Sequence, residues 1–240
     1  MADQEISKHT KKVLQVMGNG EHGIAHKLRE IALEIVIIVF AVSISIWFHS
    51  LGEHRHEQKQ VKAFLLGLKS DIGSDLKQIK EVVESHRAFD TNYAYLASLD
   101  PSAKPESGKF DQAVDLIKTN SFLVPQTSRY EGFKSSGKLT NIENAELLEK
   151  IVNLYQYDIP KAELAFHGWS RGRGKLEDYL DQESRGDSSA ERYQLLSSAK
   201  GKRLLRAMQT HPQLYERYER IARNGAAIIA DIDKTYPQGR

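Results

Sequence analysis

The segment IALEIVIIVFAVSISIWFHSL, residues 31–51, decides how the rest of the chain is read. Its 21 residues, at about 1.5 Å each, make a helix of roughly 31 Å, matching a hydrocarbon core of about 30 Å. Residues 35–42 are unbroken apolar sequence. A buried helix of a soluble domain can be apolar all round, but it rarely stays so dense in β-branched residues over this length. In lipid the backbone must satisfy its own hydrogen bonds, and a single helix does so alone. Each Ile, Val, Phe or Leu near the centre favours insertion by about 0.3–0.6 kcal/mol. The 13 such residues outweigh one acidic group near the edge. The expectation is an all-α chain with one N-terminal transmembrane helix, whose first partner is the lipid bilayer.

The acidic group is Glu34, within one turn of the boundary, where a carboxylate reaches the headgroups. Glu34, Ala41, Ser45 and His49 follow at steps of seven, four and four, so they share one helical face. Val36, Val39, Phe40, Ile44 and Trp47 put the bulk elsewhere. Ala41 and Ser45 form a small-xxx-small pair, which suits close helix–helix contact. This face is the candidate site for self-association into a homo-oligomer. Trp47 fits an interfacial aromatic anchor.

Composition narrows the function. The chain has 240 residues, enough for a span and one helical domain. With 28% charged residues and a net charge of +2, nothing electrostatic favours nucleic acid. There is no Cys, which excludes disulfides, thiol catalysis and Cys-ligated zinc. A cleavable signal peptide is the rival to a permanent anchor. The apolar core exceeds the usual length of about 7–15 residues, and residues 48–52 offer no A-x-A site, so the pattern predicts an uncleaved anchor. Lys8, Lys11, Lys12, Lys27 and Arg29 precede the span; Arg55, Lys59, Lys62 and Lys69 follow it. The richer short tail predicts a cytoplasmic N-terminus and a domain on the far side of the membrane.

Four regions follow. Residues 1–30 are a polar tail, either disordered or carrying a short amphipathic helix over residues 6–17. Residues 31–51 are the span. Residues 52–99 are a long stalk helix continuing into the domain. Val61, Leu65, Leu68, Ile72, Leu76, Ile79, Val83 and His86 advance along it by three or four, a heptad-like seam with one stutter, and Phe89, Tyr93 and Leu96 extend it. The seam packs on the chain's own later helices or on a second copy, the first being the simpler arrangement. Residues 100–240 are the remainder of a bundle of about five to seven helices.

Within that remainder, residues 100–108 and 121–126 read as loops. Thr127 or Ser128 caps a short helix that Gly137 stops. Asn141 begins a long helix that Pro160 kinks or ends near Ile159. SRGRGK, residues 170–175, reads as the clearest flexible break. Ser188 and Glu191 have capping-box spacing. They open a helix running to about residue 210, with Gly201 as its weak spot. Pro212 suits the first turn of the last helix, whose stripe is Leu214, Tyr218, Ile221, Gly225, Ile228 and Ile232.

No motif points to a reaction, a metal or a cofactor. GFKSSGK, residues 132–138, nearly spells a phosphate-binding loop. Leu139 stands where Ser or Thr should hold magnesium, and a helix precedes it where a strand should, so nucleotide binding is rejected. His49, Glu53, His54, His56 and Glu57 cluster beyond the span, yet without H-E-x-x-H spacing; a solvated collar is favoured over a divalent site. Arg171, Arg173 and Lys175 suit an anion or, more simply, a linker. His86, His167 and His211 stand apart from any nucleophile constellation.

Two stretches carry a family likeness. In residues 28–57 Glu34 opens a Val/Ile-rich span, Trp47 closes it and LGEHRHEQKQ follows. In residues 130–155 Phe133, SGKL at 136–139, Ile142 and Leu147 precede a tyrosine-rich turn. Together they resemble a large group of uncharacterised bacterial single-span proteins with an N-terminal anchor and a helical extramembrane domain. Members carry a Gly within the span and Asn beside the Trp; here Ala41, Ser43 and Ser45 stand in that region and Phe48 follows Trp47. The resemblance implies a bacterial inner-membrane address and no activity. The leading functional expectation is therefore a non-enzymatic anchored interaction or scaffold module, self-associating through the span and the seam. A sensor binding a small ligand between its helices is second. An enzyme with a dispersed site is third.

Overall fold

The computed structural model describes residues 21–103, 107–186 and 188–237. The short amphipathic helix expected over residues 6–17 lies outside them. The described chain is all-helical, with no strand among the described residues. It divides into two units, Met1–Gln58 and Lys59–Arg240. The α-helices are α1 (Glu21–Ser98), α2 (Ser107–Ile117), α3 (Ser128–Ser135), α4 (Ala145–Asn153), α5 (Ile159–Glu183), α6 (Ser189–Ser197), α7 (Ala199–Ala207) and α8 (Pro212–Thr235).

In the first unit, α1 is long and apolar enough to cross a membrane. No residue from 31 to 50 is buried, and its large apolar side chains stand between 38% (Ile44) and 66% (Phe40) exposed. The apolar surface covers the whole circumference, so it has no solvent-facing side of the kind a surface helix of a soluble domain keeps.

In the second unit the same helix becomes one-sided. Val61, Leu65, Leu68, Ile72, Asp75, Ile79, Val82, His86, Phe89, Tyr93 and Leu96 are all buried, at 8% exposure or less. Their steps alternate four and three throughout. The expected stutter is absent because Asp75 and Val82 occupy the register, while Leu76 and Val83 are only half-buried beside it. The seam is filled by the chain's own later segments. Its first half shares a hydrophobic cluster with Leu147 and Ile151 of α4 and with Leu214, Tyr218, Ile221, Ile228 and Ile232 of α8. Its second half shares another with Phe110 and Val114 of α2, Trp169 and Leu176 of α5, and Leu196 and Leu205. Of the two partners expected for the seam, the chain's own later helices are the ones that cover it here. Gly225 marks the closest approach of α8, since a Cβ there would sit 2.9 Å from Cγ2 of Ile72.

Local rules explain most helix ends. The side chain of Asn144 accepts from the Leu147 amide (3.0 Å), so α4 starts at Ala145 and not at Asn141, which ends a short 3-10 turn. Thr127 sits at the N-cap of α3 without a side-chain cap, and Gly137 follows that helix in the left-handed region at φ 73°. The Ser188 hydroxyl accepts from Glu191 N (3.2 Å), one half of the capping box; the Glu191 carboxylate turns to the Arg185 amide instead (2.6 Å). Pro212 occupies the first turn of α8 as its missing N–H predicts.

Three expectations are corrected. The break expected at Pro160 falls earlier: regular α-helix ends at Asn153, a π turn, Leu154–Asp158, follows, and the Ile159 amide reaches back to Leu154 O, so α5 starts with the proline in its first turn. Residues 170–175 are no flexible break but the middle of α5. Arg173 is buried there and donates to three acceptors of another segment, which outweighs the helix penalty of Gly172 and Gly174. The helix expected from 189 to about 210 is two helices. Ser198 separates them, its hydroxyl accepting from Gly201 N (3.0 Å).

The glycines give opposite predictions. A Cβ on Gly201 would collide with the carbonyl oxygens of Leu195 and Leu196, and this backbone cannot step aside. Gly201→Ala should destabilise the protein by at least about 2 kcal/mol. A Cβ on Gly174 meets nothing within 4 Å. Gly174→Ala should stabilise by up to about 1 kcal/mol through helix propensity. Thermal unfolding followed by circular dichroism checks both, and an unchanged Gly174→Ala variant would contradict a helical 170–175.

Candidate functional site

Residues 119–127 join α2 to α3 without regular structure, yet Leu123 is buried. Irregular backbone inside a protein needs partners for its amides and carbonyls. Side chains of two helices supply them. The Arg173 guanidinium donates to Lys118 O (2.5 Å), Thr119 O (2.7 Å) and the Asn120 side chain, and its Nε donates to Glu177 (2.8 Å). His86 Nε2 donates to Ser121 O (3.0 Å). The Tyr218 hydroxyl lies close enough to the Leu123 backbone for that backbone to offset part of the upward pull of burial on its pKa. Gln78 Oε1 accepts from Val124 N (2.9 Å), and the Asp75 carboxylate accepts from Gln126 N (3.0 and 3.2 Å). The segment is a strap fastened along most of its length.

The fasteners have the electrostatics of buried groups. A carbonyl only accepts, so His86 carries its proton on Nε2, leaving Nδ1 to accept from the Thr210 hydroxyl (3.2 Å). Burial pushes its pKa down and favours this neutral form. Thr210 N and the Tyr215 hydroxyl both donate to Asp90 (2.6 and 2.8 Å), and the Trp169 indole, 4.9 Å from the His86 ring, donates to Met208 O (3.0 Å). Asp75 is 5% exposed, and burial is the main cause raising its pKa to about 6, with Asp71 adding to it. Nearby, the buried Tyr155 hydroxyl has no hydrogen-bond partner among the described residues; burial first, then the negative charge of Asp75, raises its pKa.

Beside the strap lies an open cleft of about 350 Å³. One wall is Phe122, Leu123, Val124 and Pro125 of the strap. The other is Ala162, Glu163, Phe166 and His167 of α5, with Tyr218 of α8 at the base. The Phe122 and Phe166 rings lie 5.2 Å apart, and Phe122 and Val124 are 45% and 55% exposed. The cleft is mostly apolar, with the Glu163 carboxylate at its rim.

The residues singled out from sequence lie elsewhere. Glu34, Ala41, Ser45 and His49 are all exposed on α1; the Ser45 hydroxyl donates to Ala41 O (2.9 Å), and His49 Nε2 lies 3.2 Å from Glu53. Among the described residues no three His, Asp or Glu side chains gather as a metal site. Residues 132–138 span the end of α3 and the Gly137 turn. Arg171, Arg173 and Lys175 are helical, and Arg173 is the strap's main fastener. Asp75, His86 and Arg173 were missed as a set because the strap joins them only in three dimensions. The single sequence signal was the four-three register, which runs through Asp75.

Fold and site together define a class: an all-helical protein with one uncovered apolar helix near its N-terminus and a strapped, filled helical domain. The chain belongs to a family of unknown function, DUF6090, whose model matches residues 30–166. That match spans the apolar helix, the seam, the strap and the α5 wall of the cleft. No curated protein and no solved structure matches the chain.

The raised pKa of Asp75 sets a pH dependence. Its folded value of about 6 lies above the ordinary aspartate value of 3.8, so the neutral form is the one folding favours. Its contribution is full below about pH 4 and is lost as pH rises through 6, a decline of about 3 kcal/mol at most. Asp75→Asn keeps an acceptor for Gln126 N and removes the titration. The variant's melting temperature should therefore gain on the wild type between pH 4 and 7, and parallel pH profiles would contradict this.

Proposed function

We propose that the chain is a single-span membrane protein whose helical bundle is held beside the bilayer as a non-enzymatic interaction module. The observation that carries this is the uncovered apolar circumference of residues 31–50. Bare apolar surface of this extent requires a cover, and lipid is the solvent whose thickness matches it. The tail's basic residues support a cytoplasmic N-terminus and a periplasmic domain in a bacterial inner membrane.

Self-association runs through Glu34, Ala41, Ser45 and His49. With the seam occupied, this stripe is the remaining sequence-encoded face. Ser45 already spends its hydroxyl on Ala41 O within the helix, so the pair offers a shallow groove and not an unsatisfied donor. The chain contains no Cys, so introduced thiols report unambiguously. In native membranes, Ala41→Cys and Ser45→Cys should form disulfide-linked dimers under mild oxidation, and Val36→Cys and Phe40→Cys should not. Equal crosslinking at all four positions, or recovery of the intact chain in the aqueous fraction without detergent, would sink the reading.

One observation favours a second reading. The cleft beside the strap has the size and apolar lining of a small-molecule pocket. In that reading the domain is a sensor that binds a small ligand between strap and α5.

A further inference from the structure

We infer that the cleft between the strap and α5 takes a hydrophobic cation: a small aromatic or alkyl ammonium with an apolar body and a positive head. This rests on the sensor reading and names its ligand class.

The lining excludes other classes. It contains one carboxylate, Glu163, and no Lys or Arg. Among the described residues Glu163 has no hydrogen bond or ion pair, although its charge is felt at the Tyr218 hydroxyl. Glu163 is exposed, and a neutral apolar ligand would gain nothing from its charge. An anion would be repelled by it. A cation resolves both problems, and two aromatic rings line the same cleft, Phe122 and Phe166, with centroids 5.2 Å apart and planes at 31°.

The walls are formed before any ligand arrives. Phe122, Leu123, Val124 and Pro125 belong to the strap, and the backbone around them is tied by His86, Gln78 and Asp75. A preformed site avoids the cost of ordering its own loop. Phe122 at 45% exposure is then explained as well: an exposed ring on a fully fastened segment is held out where a ligand can cover it.

The test uses the full chain in phosphatidylcholine nanodiscs with fluorinated phenylalanine, the Phe122 and Phe166 signals being assigned by substitution. The probe is phenyltrimethylammonium, and tert-butylbenzene is its neutral isostere. Because the signals sit on the cleft, partition of either probe into lipid does not register. The cation should shift both signals saturably. Glu163→Gln changes an exposed side chain, leaves the fold intact and should weaken the cation about tenfold. The isostere should bind the wild type at least as weakly. If the isostere binds as tightly as the cation, or Glu163→Gln leaves the affinity unchanged, the cation class is wrong while ligand binding stands. If neither probe shifts either signal, the ligand class and the sensor reading both fall.

Discussion

Both hydrophobic clusters of the domain are built on one face of one helix, and the rest of the domain depends on that face being filled. From Val61 to Leu96 eleven buried residues of α1 follow a four-three alternation, with Phe64 buried beside it, and this holds a stripe in line along a helix of about 3.6 residues per turn. Segments from every later part of the domain meet this stripe. Leu147 and Ile151 of α4 and the full stripe of α8 cover its first half; Phe110, Trp169 and Leu205 cover its second. Ion pairs of α1 reinforce the contact at its margins, Arg129 with Asp71 (2.7 Å) and Lys69 with Asp233. They are partly exposed and add little beside the apolar burial.

The same helix carries two sequence patterns. Over residues 31–50 it is apolar on all sides and uncovered; from Val61 on it is apolar on one side and covered. Helical backbone geometry is common to both, so the difference lies in what surrounds each part. A one-sided pattern needs protein on one side and water on the other. An all-round pattern has no side for water.

This contrast explains what was legible in sequence. The apolar segment and the α8 stripe stand where the sequence pattern put them, and the seam does so apart from Leu76 and Val83, whose places Asp75 and Val82 take. The Pro212 start and the Ser188 cap rest on local chemistry and hold as well. The failures share another cause. SRGRGK reads as flexible because Gly and exposed Arg are usual in linkers; it is helical because Arg173 satisfies backbone carbonyls more than 50 residues earlier. Asp75 was passed over in the seam because a carboxylate is unexpected there, and its acceptor role exists only once Gln126 arrives. Pro160 reads as a helix end from its own chemistry, but a π turn one step earlier absorbs the lost donor. The cleft was illegible for the same reason as the strap: its two walls are about 40 residues apart in sequence and meet through contacts that exist only in the folded chain.

The position of the charged fasteners has a mechanical consequence. Buried polar groups are costly unless bonded, and here Asp75, one nitrogen of His86 and the guanidinium end of Arg173 bond to a single irregular segment. The strap residues that form one wall of the cleft lie between those same anchors. The cleft therefore cannot change its width without altering hydrogen bonds that end on α1 at Asp75, Gln78 and His86, each on or beside the seam. Elsewhere the core is filled by apolar side chains in contact, which resist small displacements. An occupant of the cleft touches the strap directly, and the strap's backbone is held by side chains of the surrounding helices and not by a helix of its own.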